Sequence, residues 1–439
     1  MFWIEFAIVL LMLMLGARIG GVFMGMAGGM GLAALVFLFH LTPTSPPVDV
    51  MLIIAAVILA ASALQAAGGM DFLVQLAEYI LRKNPKRITF LAPMVSYLFT
   101  FMAGTGNVVF SILPVIAEVS REVGVRPERP ITISAIASQQ AITACPISAA
   151  TVTLVALLAP FNVTLVHILM ISIPATIVGV LLGALYASRM GVDLDKDPKY
   201  LALVEKGLIP PVAVKKDFKI TASKDAKLSV VVFLAGAILI TLLGTFPSMR
   251  PLVSYDGKMQ PMSMVHTIEI VMLVVAGIII LACKADAEKA SAGSVFRSGL
   301  AGVLCIFGIA WMGDTLIAAH LPFIKSGIQE LVTTYPWTFS IALFAASTLI
   351  LSQAATVRAL VPLGITLGIP APFIIAAYPA VNGYFFFPTY ATLIAGVMFD
   401  TTGSTKIGKY VLNHSYMLPG LITEAGSLAV GFALAAILL

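Results

Sequence analysis

The sequence predicts an all-α polytopic membrane protein of inverted repeats, with two re-entrant hairpins and two broken helices. Three observations carry that expectation. Hydrophobic residues make up 60% of the 439 positions, only 11% are charged, and the mean hydropathy of +1.03 lies far outside soluble usage. Two matched sets of small, polar or helix-breaking residues interrupt the apolar sequence, one in each half. A single long polar stretch, 188–228, separates those halves.

Apolar runs of bilayer length open the first half near 2–16, 20–40 and 50–67. The first is not expected to be a cleaved leader, because Glu5 stands where a basic region should be and no small-residue cleavage site follows Gly16. Residues 71–83 alternate apolar and charged positions at helical period and read as an interfacial helix. Residues 88–120 are interrupted at Gly104-Thr105-Gly106-Asn107. Each arm is too short to cross, which predicts a hairpin that enters and leaves on one side. Residues 131–160 could cross but are broken near Cys145-Pro146, where proline removes a helix bond. A span at 165–187 closes a first half of 1–187.

The second half, 229–439, repeats that order after spans near 229–246, 265–283 and 298–318 and an amphipathic piece at 322–334. A hairpin is expected at 338–368, a broken span at 372–399, and a last span from 416. Ten residues separate Gly104 from Pro114, as they do Ser352 from Pro362; sixteen separate Pro130 from Pro146, as they do Pro372 from Pro388. In hydrocarbon each freed backbone group costs several kcal/mol, so broken helices persist only where protein or a watery cavity re-satisfies them. Matched breaks in two halves therefore point to a transporter site at mid-membrane.

Basic residues set the orientation. With the N-terminus outside, Arg82, Lys83, Lys86, Arg87, Arg121, Arg126, Arg129, the linker, Lys284, Lys289, Arg297, Lys406 and Lys409 all become cytoplasmic. Only Arg250, Lys258 and Lys325 stay outside. Both termini are then periplasmic, and the two hairpins enter from opposite sides. The formal charge of +5 is thus a topology signal and implies no nucleic-acid partner. Three cysteines without paired spacing imply no disulfide framework and no metal, and no cofactor motif is present.

The stretches LQAAGGMD, LRKNPK, GTGNVVFSILPVI, VRPERP, ITACPIS, LSQAATVRALVP, FFPTY, DTTGSTKIGKY and NHSYMLPG closely resemble the anaerobic four-carbon dicarboxylate (Dcu) transporters of bacteria. The resemblance runs from near residue 16 to the C-terminus and fades in the linker. It implies a carrier of the bacterial inner membrane for fumarate, succinate, malate or aspartate, working by antiport or proton symport. It also implies an ion-transporter-superfamily-like fold with a scaffold, a moving domain and a dimeric, elevator-type arrangement. Some relatives are thought to partner a sensor kinase, which this sequence alone does not support.

Candidate substrate-binding residues follow from the breaks. At the tips, Gly104, Thr105, Gly106 and Asn107, and Ser352, Gln353, Ala354 and Thr356, supply hydroxyls, amides and helix N-termini suited to carboxylates. A tight turn closed by small residues for packing would look the same. In the broken spans, Thr143, Pro146 and Ser148, and Pro388, Thr389, Tyr390 and Thr392, place hydroxyls beside freed backbone; a re-satisfied proline kink is the plainer account. Arg358 is the lone basic residue inside a hairpin. Its fork suits a carboxylate, yet six helical residues from Ser352 span only about 9 Å, so it could equally snorkel to the surface.

Gating or coupling candidates are Glu78 and Arg82, four apart on the interfacial helix, and Arg126 and Arg129 in VRPERP. Asp71 and Asp314 are expected to begin paired amphipathic helices as caps, with proton coupling the alternative. The five histidines fall near span ends, where an interfacial place fits better than a relay. No catalytic constellation occurs, so an enzyme is not expected. The alternatives to a dicarboxylate carrier are a carrier of another organic anion or amino acid, and an anion channel.

Overall fold

The computed structural model describes residues 1–19, 22–46, 48–209, 220–255, 257–350, 352–388, 390–408 and 412–439; only the backbone is described at 17, 18, 24, 49, 50, 107, 255, 298, 305, 306, 321, 324–333 and 349. Six of the described helices are long and apolar enough to cross a bilayer, and one bent pair makes a seventh.

The chain opens with α1 (Phe2–Ile19), α2 (Phe23–Ala33), which runs on as π-helix to Leu38, and α3 (Val48–Ala66). At Gly68, with φ of 80°, the chain turns by 72° into α4 (Gly69–Lys83), whose buried Leu73, Ala77 and Leu81 lie on one face. The first hairpin is α5 (Ile88–Ala103), a 3-10 turn at Gly106–Val108, and α6 (Val109–Glu122). The first broken span is α7 (Glu128–Ala144), an extended step at Cys145 to Ser148, and α8 (Ala149–Leu158). Then α9 (Leu165–Ala187) starts on a capping box between Thr164 and His167.

The linker holds α10 (Pro198–Glu205), and its first part is docked rather than loose. Leu194 is buried and donates its N–H to the Gly124 carbonyl at 2.9 Å. Residues 210–219 lie outside the described residues. The second half runs α11 (Lys224–Thr245), a small antiparallel pair β1 (Leu252–Tyr255) and β2 (Lys258–Pro261) in register Leu252 to Pro261, then α12 (Met264–Ala282) and α13 (Ala287–Ala292). The β pair was not expected from sequence. Next come α14 (Ser294–Thr334), the second hairpin α15 (Thr338–Ile350) and α16 (Gln353–Thr366), and α17 (Ala371–Ala377). A 3-10 stretch, Tyr378–Phe385, leads to α18 (Ala391–Phe399), and α19 (Met417–Leu438) ends the chain.

Two differences from the sequence reading matter. The expected span at 298–318 and amphipathic piece at 322–334 are one 41-residue helix that runs through Pro322, with no left-handed glycine among the described residues to turn the chain there as Gly68 does. Asp314 is therefore mid-helix, and its expected role as a cap is wrong. The second break is also much longer than the first. The regular helix gives way at Tyr378-Pro379, well before Pro388.

Packing divides the helices into two groups. In one, α3 packs on α12 and α14, α14 on α2, and α11 on α12 and α4. Within it, α2 and α14 meet backbone to backbone, since a Cβ on Gly308 would lie 1.8 Å from the Gly25 carbonyl oxygen. In the other, α9 packs on α19, α7 on α5 and α9, and α15 on the 3-10 stretch. Cβ atoms at Gly179 and Gly183 would each come within 2.1 Å of the Ser427 and Thr423 hydroxyls, respectively, so α9 and α19 also touch closely. This second group holds both hairpins and both breaks.

Candidate functional site

The two hairpin tips and the two broken spans converge, as their matched spacing suggested. Gly104, with φ of 69°, ends α5, and a Cβ there would sit 3.0 Å from the Ile147 side chain in the first break. Gly106 lies against Gln139 on α7, where a Cβ would be 2.5 Å from the amide nitrogen. The Ser138 hydroxyl, 2.8 Å from that of Thr100, also donates to the Gly106 carbonyl at 3.3 Å. Thr105 is half-buried at the tip, and the Asn107 side chain lies outside the described residues.

From there a chain of amides crosses the molecule. Gln353, the first residue of α16, donates from Nε2 to Gln139 Oε1 at 2.9 Å and to Asn382 Oδ1 at 3.2 Å. Asn382, in the unwound stretch, donates from Nδ2 to Gln140 Oε1 at 3.2 Å and to the Thr143 hydroxyl at 3.5 Å. Gln140 in turn donates to Glu424 on α19 at 2.8 Å. All six side chains are buried. Gln139 Nε2 has no hydrogen-bond partner among the described residues. A buried donor left open costs about 1–3 kcal/mol, which an acceptor arriving at the tip of the first hairpin would relieve.

Other expected site hydroxyls are spent on the breaks themselves. Ser148 caps α8 by accepting from Thr151 N–H at 3.2 Å and donates to the Ile142 carbonyl at 2.6 Å, re-satisfying backbone freed by Pro146. Ser352 caps α16, accepting from Ala355 N–H at 3.3 Å beside the buried Ala354, and Thr356 donates back to the Ser352 carbonyl at 2.8 Å. Thr151 and Tyr378 join the two breaks through a 3.0 Å contact between hydroxyls. Pro388 is buried and Thr389 lies outside the described residues. The Tyr390 ring stands 4.9 Å from that of Tyr384, and the buried Thr392 hydroxyl has no hydrogen-bond partner among the described residues.

Arg358 does not join the amides. Its Nε is 3.6 Å from Asp314 Oδ2 and makes no hydrogen bond among the described residues, so an ion pair joins α16 to α14 beside their apolar packing. The first hairpin has a counterpart tie of reversed sign. Arg82 on α4 reaches Glu122 at 2.6 Å and Glu118 at 3.2 Å on α6, besides Glu78 at 2.8 Å. Arg126 and Arg129 are held by the linker, at 2.5 Å to Asp197 and 2.6 Å to Asp193. Asp71 stands exposed in the first turn of α4. His414 accepts from Tyr416 N–H at 3.2 Å and faces the Phe386 carbonyl at 3.2 Å; burial lowers its pKa against the pull of that carbonyl, which suits a neutral structural ring.

Sequence reasoning missed Gln139, Gln140, Asn382 and Glu424. The signal was present: two adjacent amides, one asparagine and one acid inside apolar spans are expensive there and mark function or tight pairing.

The sequence model of a family described as "Anaerobic c4-dicarboxylate membrane transporter" matches residues 1–439. The chain is 42% identical over 441 residues to the C4-dicarboxylate transporter DcuA of Wolinella succinogenes, covering 99% of each. It is 41% identical to the anaerobic C4-dicarboxylate transporter DcuB of Escherichia coli over 448 residues, and 41% identical to DcuA of Helicobacter pylori over 442, with 99% coverage throughout. Among solved structures, the fold is similar to the YdaH transporter of Alcanivorax borkumensis, with a TM-score of 0.55, 15% identity, and 88% of this chain and 85% of that one covered.

Proposed function

We infer, from a chain that belongs to the anaerobic C4-dicarboxylate membrane transporter family, that its amide-lined junction carries fumarate, succinate, malate or aspartate by antiport or proton-coupled uptake. Membership itself makes the chain a multi-pass transporter of the bacterial inner membrane and not an enzyme. The observation that carries the finer reading is the contact of Gln353 with both Gln139 and Asn382. It joins one hairpin tip to both broken spans through groups that donate without bringing a fixed charge. One substrate carboxylate would take the open Gln139 amide and the hydroxyls beside Gly106. The second would meet the N-terminus of α16, where Ser352 keeps its hydroxyl hydrogen free to donate.

The motion in this reading is of elevator type. The hairpins, breaks, α7, α9 and α19 move as one body against α2, α3, α11, α12 and α14, with the inverted arrangement giving access to each side in turn. The ties Arg82 to Glu122 and Arg358 to Asp314 cross between these groups and must break or exchange in each cycle. A dicarboxylate that draws Arg358 from Asp314 would couple binding to release of the second hairpin. A homodimer of the fixed groups, both termini outside, completes the proposal.

Purified protein in liposomes loaded with succinate provides the test. Labelled fumarate should enter faster with internal succinate than without. Uptake indifferent both to the internal substrate and to an imposed pH gradient would favour a channel, and uptake of a monocarboxylate alone, or of an amino acid other than aspartate alone, would favour a different solute.

A further inference from the structure

Glu424 lies on α19 with 4% of its surface exposed. One carboxyl oxygen accepts from Gln140 Nε2 at 2.8 Å, while Oε1 has no hydrogen-bond partner among the described residues. Nor does any described Lys, Arg or His lie within ion-pair distance of it. The elements packed on α19 bring no counter-charge at this level. Helix α9 meets it through Gly179 and Gly183, and its titratable groups are confined to His167 and Tyr186 near its two ends. Helix α17 has none. The unwound stretch brings Tyr384, whose own hydroxyl has no partner among the described residues, with Tyr390 beside it, and Tyr416 precedes α19. On α7 the charged residues are Glu128 and Arg129, at the far end of the helix and tied to Ser415 and Asp193.

A carboxylate buried in such a place with no cation in reach among the described residues is costly, so the neutral acid is the form that fits. The acid is also wired to the junction, because Gln140 accepts from Asn382, which accepts from Gln353 at the tip of the second hairpin. We propose that Glu424 is a proton-binding site of the carrier, loaded together with the dicarboxylate, and that Gln140 and Asn382 transmit loss of the proton to the second hairpin. A proton taken up by Oε1 from one side is released to the other in the same cycle, so that each dianion crosses with one proton. This rests on the reading of the junction as the dicarboxylate site.

The test compares two rates in liposomes: succinate accumulation driven by an inside-alkaline pH gradient, and succinate–succinate exchange at equal pH. The wild-type ratio of the first to the second should fall by at least about tenfold in Glu424→Gln and recover in part in Glu424→Asp. An unchanged ratio in Glu424→Gln overturns the proposal. A wild type that moves no dicarboxylate in either assay overturns instead the reading on which it rests. Should Glu424→Gln fail to insert, dicyclohexylcarbodiimide on the wild type serves, since it attacks protonated carboxyls in apolar surroundings. An adduct at Glu424 by mass spectrometry, slowed by alkaline pH, is expected, and an adduct formed at one rate from acid to alkaline pH overturns the assignment.

Discussion

Arg358 and Asp314 face each other at 3.6 Å across the boundary between the hairpin helix α16 and the long helix α14. Asp314 lies mid-helix and is not a cap, and the guanidinium Nε has no hydrogen-bond partner among the described residues. If a substrate carboxylate takes that fork, Arg358→Gln should weaken fumarate and succinate more than a monocarboxylate analogue, and Arg358→Lys should recover only part. A latch with no substrate contact would leave the dianion to monoanion ratio unchanged. The charge exchange Asp314→Arg with Arg358→Asp would then restore transport, which the substrate-contact reading does not expect. Binding constants measured on purified protein decide.

Gln353→Ala and Asn382→Ala should each weaken dicarboxylate binding by about 1–3 kcal/mol, the scale of a lost hydrogen bond to a charged group. Ser352→Ala belongs to the same series, with a cap loss of about 1 kcal/mol added in stability. Dicarboxylate titrations that give wild-type affinity in all three, with normal insertion, would show that the amides only fasten the helices together.

Arg82 is nearly buried among Glu78, Glu118 and Glu122, so removing it leaves three carboxylates facing one another. Arg82→Ala should cost roughly 3–5 kcal/mol, and the double change Arg82→Leu with Glu122→Leu should cost less than the single. Thermal unfolding in detergent measures both. Equal melting temperatures for wild type and Arg82→Ala would place the cluster on a solvated surface instead.

Orientation is tested by labelling. Single cysteines at Lys206 and Leu439, both exposed, in a cysteine-free background should react with an impermeant maleimide from opposite sides of the membrane. Reaction of both from one side would mean an even number of crossings between them and would reverse the proposed relation of the two hairpins.

The hairpins and the first break were legible because glycine and proline write backbone geometry directly into the sequence: Gly104 does turn the chain, and Pro146 does interrupt it. The second break was misjudged in extent because Pro388 matched the repeat spacing while Tyr378-Pro379, where the helix unwinds, had no partner in the first half. The amides carried a signal of cost in an apolar span, but their roles were missed for another reason. Gln139 and Gln140 sit in regular helix, and their meaning comes from Gln353, Asn382 and Glu424, which only tertiary contact brings near. Asp314 was expected to begin and cap an amphipathic helix, whereas α14 continues through it.

The bond from Gln140 to Glu424 joins residues 284 positions apart, and it is enclosed by the close seam between α9 and α19. During synthesis, α7 and α9 leave the ribosome long before α19 exists. Until then the Gln140 amide lacks its Glu424 acceptor and the glycine face of α9 lacks the helix that covers it. The contact between α7 and α19 can therefore form only after α19 has been made. A fault in α19 would strand an almost complete protein for the quality-control proteases, whatever its effect on solute movement.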